Sequence, residues 1–358
     1  MSNTFGTLFR ITSYGESHGA QVGGIIDGCP SNIELSIEDI QKELERRKPG
    51  QSNLVTQRKE SDLVTFHSGF FEGKTTGTPI HFSIENNNHK SKDYGNIKDI
   101  YRPSHADYTY DKKYGIRDFR GGGRSSARET ASRVVAGAIA KQILASKGIH
   151  IQSCVKAVYK NSLQEGEHIE WDNVESFKTR AANTRLDQLF ESDILKAKKD
   201  GDSLGGHVYC EVLGLPAGLG EPVFDKLHAR LGSAILGINA CKGFEIGSGF
   251  NGIQLKGSEH NDPFMIDEDN IVTTKTNFSG GVQGGITNGE ALFFSAVFKP
   301  TATIIQKQES ITTDSKKVVY IANGRHDPCI LPRAVPIVEA MTALTILDFY
   351  LLNQSRTI

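Results

Sequence analysis

The sequence predicts an α+β fold built on antiparallel sheets, and three observations predict it. Strand-like segments come in runs while helical segments stand apart, instead of alternating as β-α-β units. Hydrophobic residues at 37% and charged residues at 23% are those of a folded chain. At 358 residues the chain can bury a sizeable core, and no Pro/Ser-rich linker divides it, so a single domain over 1–358 is expected.

The first segment reads as strand, with Phe5, Thr7, Phe9 and Ile11 alternating with Gly6, Leu8, Arg10 and Thr12. A second apolar run, Val22 to Ile26, follows a glycine-rich turn. A helix is expected from Ser36, with Asp39 in a capping-box-like position and Ile37, Ile40 and Leu44 as its apolar residues. Pro49-Gly50 stops it. Strands follow near 62–70 and 77–85.

The clearest helix begins at Ser125/Ser126, where Ser126 and Glu129 form S-x-x-E. It passes Val135, Ala138, Ile139 and Gln142 and is capped by Gly148. Further helices are expected over 187–199 and from Pro222 to Leu236. A last one, from near Pro336 through Leu352, is apolar almost all round and therefore buried. Strand-rich stretches lie at 206–214, 291–305 and 317–322. The segments Gly73–Ile84 and Gly284–Phe294 share a turn-then-strand rhythm, which hints at internal duplication.

Charge and composition exclude several function classes. Lys+Arg 41 against Asp+Glu 42 leaves a net charge of −1, which argues against a sequence-wide binder of nucleic acid or membrane surfaces. No apolar run approaches the ~18 residues of a membrane span. The first residues are polar where a signal peptide needs an apolar core, so a cytoplasmic protein is expected. The five cysteines form no C-x-x-C pair, a spacing that suits reduced thiols and argues against a zinc site.

Three familiar motifs fail on context. Gly15-Glu16-Ser17-His18-Gly19 fits the nucleophile elbow of a hydrolase, but a strand rather than a helix is expected after it. Gly247 to Gly252 fits G-x-G-x-x-G, but Ile253 to Gly257 reads as strand, not as the helix a dinucleotide site needs. Gly69 to Thr75 has only three residues between its glycines where a P-loop has four.

Residues 101–133 are the most informative stretch. Arg102, Lys112, Lys113, Arg117, Arg120, Arg124, Arg128 and Arg133 outnumber Asp107, Asp111, Asp118 and Glu129. Gly121-Gly122-Gly123 delivers the chain to Arg124-Ser125-Ser126 at a helix start, where free N–H groups, hydroxyls and guanidiniums make an anion site. Read blandly, the same features are a capped surface helix with solvated arginines. Arg46-Arg47-Lys48 simply complements a helix C-terminus on that reading. His18 and His105, each beside glycine turns or arginines, are acid/base candidates. A metal held by His18, His105 and Asp327 is the lesser reading, and no metal is expected.

Six strings together resemble the chorismate synthase family: GESHG at 15–19, RPSHADYTY at 102–110, FRGGGRSSARET at 119–130, INACKG at 238–243, FKPTAT at 298–303 and GRHDPC at 324–329. They run in family order over nearly the whole chain. The resemblance implies a lyase that converts 5-enolpyruvylshikimate 3-phosphate to chorismate and phosphate by anti-1,4-elimination, with reduced FMN and no net redox change. It implies a β-α-β sandwich, with long helices between two antiparallel sheets, and a homotetramer.

By the same resemblance Arg47, Arg102, Arg128 and Arg325 hold substrate anions. Arg124, Ser125, Ser126, Asn239, Ala240, Gly284, Lys299, Pro300, Thr301, Ala302, Thr303 and Arg325 form the flavin site. His18 stands near the leaving phosphate, with Ser17 as its helper. His105 keeps the reduced flavin in its correct protonation state, and Asp327 assists base action at flavin N5. Two positions depart from the family pattern. Asn53 replaces an arginine linked to contact with NADP-type nucleotides, and Ala302 replaces a frequent serine. An external flavin reductant is therefore expected.

Overall fold

The computed structural model describes residues 3–51, 54, 61–86, 98–322 and 327–356. Its first sheet has the strand order Thr4–Phe5, Arg10–Tyr14, Gln21–Asp27, Ile80–Glu85, Val64–Phe66, all antiparallel. Along the central strand Val22 and Ile26 are buried while Gln21 and Ile25 face outward, the period-two pattern of a sheet with one covered face. The second sheet has the order Asn161–Ser162, His150–Val158, Gly206–Leu213, Leu292–Phe298, Cys241–Ile246, again antiparallel throughout. Val208, Cys210, Val212, Phe294, Ala296 and Phe298 point from it into the core.

The helices are α1 (Ile37–Arg47), α2 (Asp107–Tyr114), α3 (Thr130–Ala145), α4 (Thr184–Lys199), α5 (Leu227–Leu236), α6 (Gly257–His260) and α7 (Leu331–Gln354). Helix α3 packs on the first sheet, α7 packs on the second, and the two pack on each other. This is the expected sandwich of helices between antiparallel sheets. The helices touch most closely at Gly137, where a Cβ would overlap Ala340. The Ser36 hydroxyl caps α1 by accepting the Asp39 N–H at 3.1 Å. Helix α7 is the one helix, among the described residues, long and apolar enough to cross a membrane, which the scan for apolar runs missed; 83% of its apolar window is buried in the core.

The repeated turn-then-strand rhythm is structural. Each segment forms a short hairpin, Phe70–Phe71 with Lys74–Thr75 and Val282–Gln283 with Ile286–Thr287, then leads into a central strand. The Thr75 hydroxyl donates to the Pro30 carbonyl at 2.7 Å and accepts the Ile33 N–H at 3.0 Å. Thr287 does the same with Pro216 at 2.7 Å and Leu219 at 2.8 Å.

Several boundaries differ from expectation. Phe9 sits in a turn between two short strands rather than in one continuous strand. Helix α3 begins at Thr130, because Gly123–Ser125 and Ala127–Glu129 wind as 3₁₀ turns. Glu129 pairs with Arg133 at 2.8 Å, and the Ser126 hydroxyl accepts the Arg128 N–H at 3.3 Å. Pro222 lies outside α5 in an irregular loop, and the strand expected over 253–257 is absent, since a 3₁₀ turn runs through Gln254 and α6 opens at Gly257. The strands at 150–158 and 241–246 had no counterpart in the sequence reading. Helix α7 starts five residues before Pro336. Proline has no N–H to return to the Pro332 carbonyl, and Arg180 supplies the missing donor to that oxygen.

Candidate active site

The loop 15–19 joins two antiparallel strands, which removes the hydrolase elbow. Asn86, just past the strand Ile80–Glu85, fastens it by donating to the carbonyls of Glu16 at 3.0 Å and Gly19 at 2.9 Å. Ser17 and His18 are buried, with the Ser17 hydroxyl 3.0 Å from His18 Nδ1. Gly121 lies against the imidazole, where any Cβ would collide with Nδ1. That contact is a physical reason for glycine at this point of the triple-glycine run.

From Asn86 a continuous path of polar contacts leads onward. Its Oδ1 accepts from Arg128 Nε at 2.8 Å, and Arg128 also pairs with Asp62. Asp62 accepts from Arg47 at 2.9 Å. The Arg47 carbonyl accepts from Arg333 Nε at 3.0 Å, and Arg333 pairs with Asp327. The Asp327 carbonyl accepts from the Thr301 hydroxyl at 2.7 Å. Two residues on, the Thr303 hydroxyl lies 2.9 Å from His105 Nε2. Segments far apart in sequence thus share a run of contacts that reaches the loop of His18 at one end and, through the segment 301–303, His105 at the other.

The electrostatics follow from burial. Desolvation pulls the Arg47 guanidinium down to about 10, against the pull of Asp62. Burial pushes the Asp62 carboxyl up, but Arg47 and Arg128 outweigh it and hold it below the ordinary range. His105 is lowered by burial and by the Arg102 cation. Its Nδ1 lies 3.0 Å from the Pro103 carbonyl, an oxygen that can only accept, so Nδ1 carries the proton and Nε2 of the neutral ring accepts from Thr303. Lys299 is also lowered by burial, with Lys242 nearby.

The flavin-type residues divide. Asn239 donates to the Ser125 carbonyl at 2.9 Å, and the Lys299 N–H donates to the Ala240 carbonyl at 3.0 Å, so these residues meet. The Asn239 Oδ1 is buried without a partner among the described residues. Gly284 is set apart, in the hairpin whose Gly285 carbonyl accepts from Leu227 at the start of α5, whereas Asn239 follows the end of α5. The ten residues of α5, about 15 Å long, run between these two contacts. A Cβ on Gly284 would meet no protein atom among the described residues.

Arg124 and Arg128 do not point the same way. Arg124 donates to the Ser13 and Gly15 carbonyls at 3.1 Å each, bracing the strand before the histidine loop. Arg102 is held by Asp107, a carboxylate it shares with Arg117. Arg102, Arg117, Arg120 and Arg133 are thus paired with acids of the same stretch, and Arg128 is met by Asp62 from outside it. Arg325 and Asn53 lie outside the described residues.

Three polar members of the network escaped the sequence reading: Asp62, Asn86 and Arg333. A readable signal existed only for Arg333, a lone cation in the apolar string LPRAVP. Three non-glycine residues of the region, Asp62, Ser104 and Ala240, have positive φ of 47°, 60° and 65°. Such backbone strain concentrates at functional sites.

A family model described as chorismate synthase matches residues 9–351. The chain belongs to the chorismate synthase family. A protein named chorismate synthase from Christiangramia forsetii is 56% identical over 357 residues, covering 99% of each chain. One of the same name from Flavobacterium psychrophilum is 57% identical over 353 residues, covering 98% of each. A solved structure of a chorismate synthase superposes with a TM-score of 0.79 at 29% identity, covering 98% of this chain and 93% of that one. Chorismate synthases are lyases, and this chain is an enzyme of that class.

Proposed function

We propose that this chain converts 5-enolpyruvylshikimate 3-phosphate to chorismate and phosphate by anti-1,4-elimination, with reduced FMN bound beside the substrate. The single observation that carries this reading is the run of polar contacts from the loop of His18 through Asn86, Arg128, Asp62, Arg47, Arg333 and Asp327 to Thr301, two residues before the Thr303 hydroxyl that meets His105. A substrate with a phosphate monoester and two carboxylates bears about −3.5 to −4 charges at neutral pH, and a near-neutral protein must meet it with clustered cations.

In this reading His18 faces the leaving phosphate as an imidazolium, steadied by Ser17 and the tight fit of Gly121. Arg47, Arg102 and Arg128 supply the cationic surround, together with Arg325. His105 is a neutral ring with its Nε2 lone pair turned to Thr303, suited to accepting and returning a proton. Asp327, oriented by Arg333 and Thr301, assists base action nearby.

Reduced FMN, when bound, supplies electron density that eases departure of the phosphate and is itself unchanged overall. The residues present fit it. The Asn239 Oδ1, unpartnered among the described residues, is an acceptor of the kind a ring N–H of the flavin fills, with Ser125 bonded to Asn239 and Lys299 to Ala240; Arg124, Ser126 and the segment 300–303 complete the site in this reading. A cytoplasmic homotetramer supplied with reduced flavin by an external reductant completes the proposal.

The test is phosphate release from 5-enolpyruvylshikimate 3-phosphate under anaerobic conditions, with and without photoreduced FMN. Release that requires the reduced flavin is expected, and no release in its presence would sink the assignment. Bleaching of the bound flavin by NADPH alone would refute the external reductant.

A further inference from the structure

We propose that Asp62 is a positioning residue, which holds Arg47 and Arg128 at a fixed spacing for the substrate anion; the proposal rests on the function proposed above. The two arginines come from separate elements, Arg47 from the last turn of α1 and Arg128 from the 3₁₀ turn before α3. One carboxylate joins them, with Oδ2 taking Arg47 at 2.9 Å and Oδ1 taking Arg128. The Asp62 side chain has no exposed surface, and the two arginine side chains are 2% and 6% exposed. At that depth their charges act on an approaching anion through a poorly screening medium.

The remaining contacts of each guanidinium are with neutral acceptors. Arg47 donates to the Thr130 hydroxyl at 3.2 Å and the Ala127 carbonyl at 2.7 Å. Arg128 donates to Asn86 at 2.8 Å and the Glu85 carbonyl at 3.1 Å. Among the described contacts, only Asp62 offsets the mutual repulsion of this pair. Arg333 adds a third cation to the surroundings, and Asp327 answers it.

Asp62 is itself held in place. Its φ is 47°, a left-handed conformation that Asp and Asn tolerate better than most residues. Gln41 of α1 clamps the backbone on both sides, donating to the Asp62 carbonyl at 3.1 Å and accepting the Val64 N–H at 3.1 Å. The helix that presents Arg47 thus also fixes the residue that answers its charge.

Two effects of removing the carboxylate oppose each other. The pocket gains net positive charge, which favours an anion. The pair also loses the group that holds it together, and two buried guanidiniums without a counter-charge must splay apart. The second effect is the larger, because a buried charge stripped of its partner is among the costliest single changes in a protein.

The experiment compares D62N and Q41A with the wild-type full chain, reading kcat and KM for phosphate release, FMN affinity and thermal unfolding. Asn keeps the shape and the left-handed backbone while removing the charge; Q41A keeps the charge and frees the backbone. Expected are a KM at least tenfold higher in D62N and about threefold higher in Q41A, with kcat within threefold and FMN affinity unchanged. A folded D62N with an equal or lower KM overturns the proposal. If D62N fails to fold, an unchanged KM in Q41A overturns it and a raised one supports it. If the wild type releases no phosphate, the functional reading fails instead. Binding of inorganic phosphate then decides, with weaker binding by the variants supporting the role of Asp62 and equal binding refuting it.

Discussion

Asp348, near the end of the last helix, accepts the backbone N–H of Phe9 at 3.1 Å and so ties the turn between the first two strands to α7. The same carboxylate takes the N–H groups of Thr7 at 2.7 Å and Leu8 at 2.6 Å. Three donors on one ion form a small nest that closes the two ends of the chain on each other.

Replacing Asp348 with Ala removes all three bonds and leaves the buried Phe9 N–H without a partner. A loss of about 2 kcal/mol in unfolding free energy is expected. Asp348→Asn, which keeps one acceptor oxygen, should lose roughly half of that. Urea unfolding of the three proteins checks the order.

Gly137→Ala tests the helix pair at the centre of the sandwich. The added methyl falls on Ala340 of α7, and neither helix can retreat without lifting from its sheet. Overpacking of this kind costs about 1–3 kcal/mol. A melting temperature lower by several degrees is expected, although Ala is the better helix former; an unchanged or raised value would mean that the helices can part.

His18→Ala and His105→Ala are each expected to lower turnover at least tenfold while FMN still binds, since general acid–base groups contribute about 10²- to 10⁴-fold. Unchanged rates in both would remove their assignment. His105 also predicts a pH dependence of stability. Its folded-state value is lowered by burial and Arg102, so the neutral form is the one the fold favours. That contribution is fully present above the ordinary value near ~6.5 and is lost as pH falls through the folded value. Thermal unfolding across that acid range should fall less steeply in His105→Ala than in the wild type.

Asn239→Ala removes the unpartnered buried acceptor together with the bond to the Ser125 carbonyl. A weakening of FMN binding by about tenfold is expected, the worth of one good hydrogen bond. Fluorescence titration with FMN measures it, and an affinity equal to the wild type would take Asn239 out of the flavin site.

The parts of the fold legible in the sequence were those written in local chemistry. Ser36 and Asp39 marked the start of α1 because a hydroxyl three residues before a free N–H is a purely local arrangement. The paired hairpins were legible because glycine and threonine recur at matching points of both segments. The strand 150–158 was missed although His150, Gln152 and Lys156 alternate with apolar residues, since the S-x-x-E helix just before it drew the boundary. Pro336 misplaced the start of α7, because the donor that rescues the helix, Arg180, lies far away in sequence.

The same division runs through the candidate site. The residue types were present on the page of sequence: two histidines in glycine-bounded loops, an arginine-rich stretch, and the family strings around them. Which arginines meet which acids was not. Arg46 and Arg47 are neighbours in sequence, yet Arg46 turns to Glu339 at 2.6 Å and Arg47 to Asp62 at 2.9 Å. A helix spreads successive residues about 100° apart, so identical side chains enter different surroundings. The amino-acid order alone determined the antiparallel α+β character, the first helix cap and the family, because each is carried by short-range pattern. Only the tertiary structure decided that Asp62 joins two arginines and that Gly284 stands apart from Asn239, because both depend on which distant segments the core brings together.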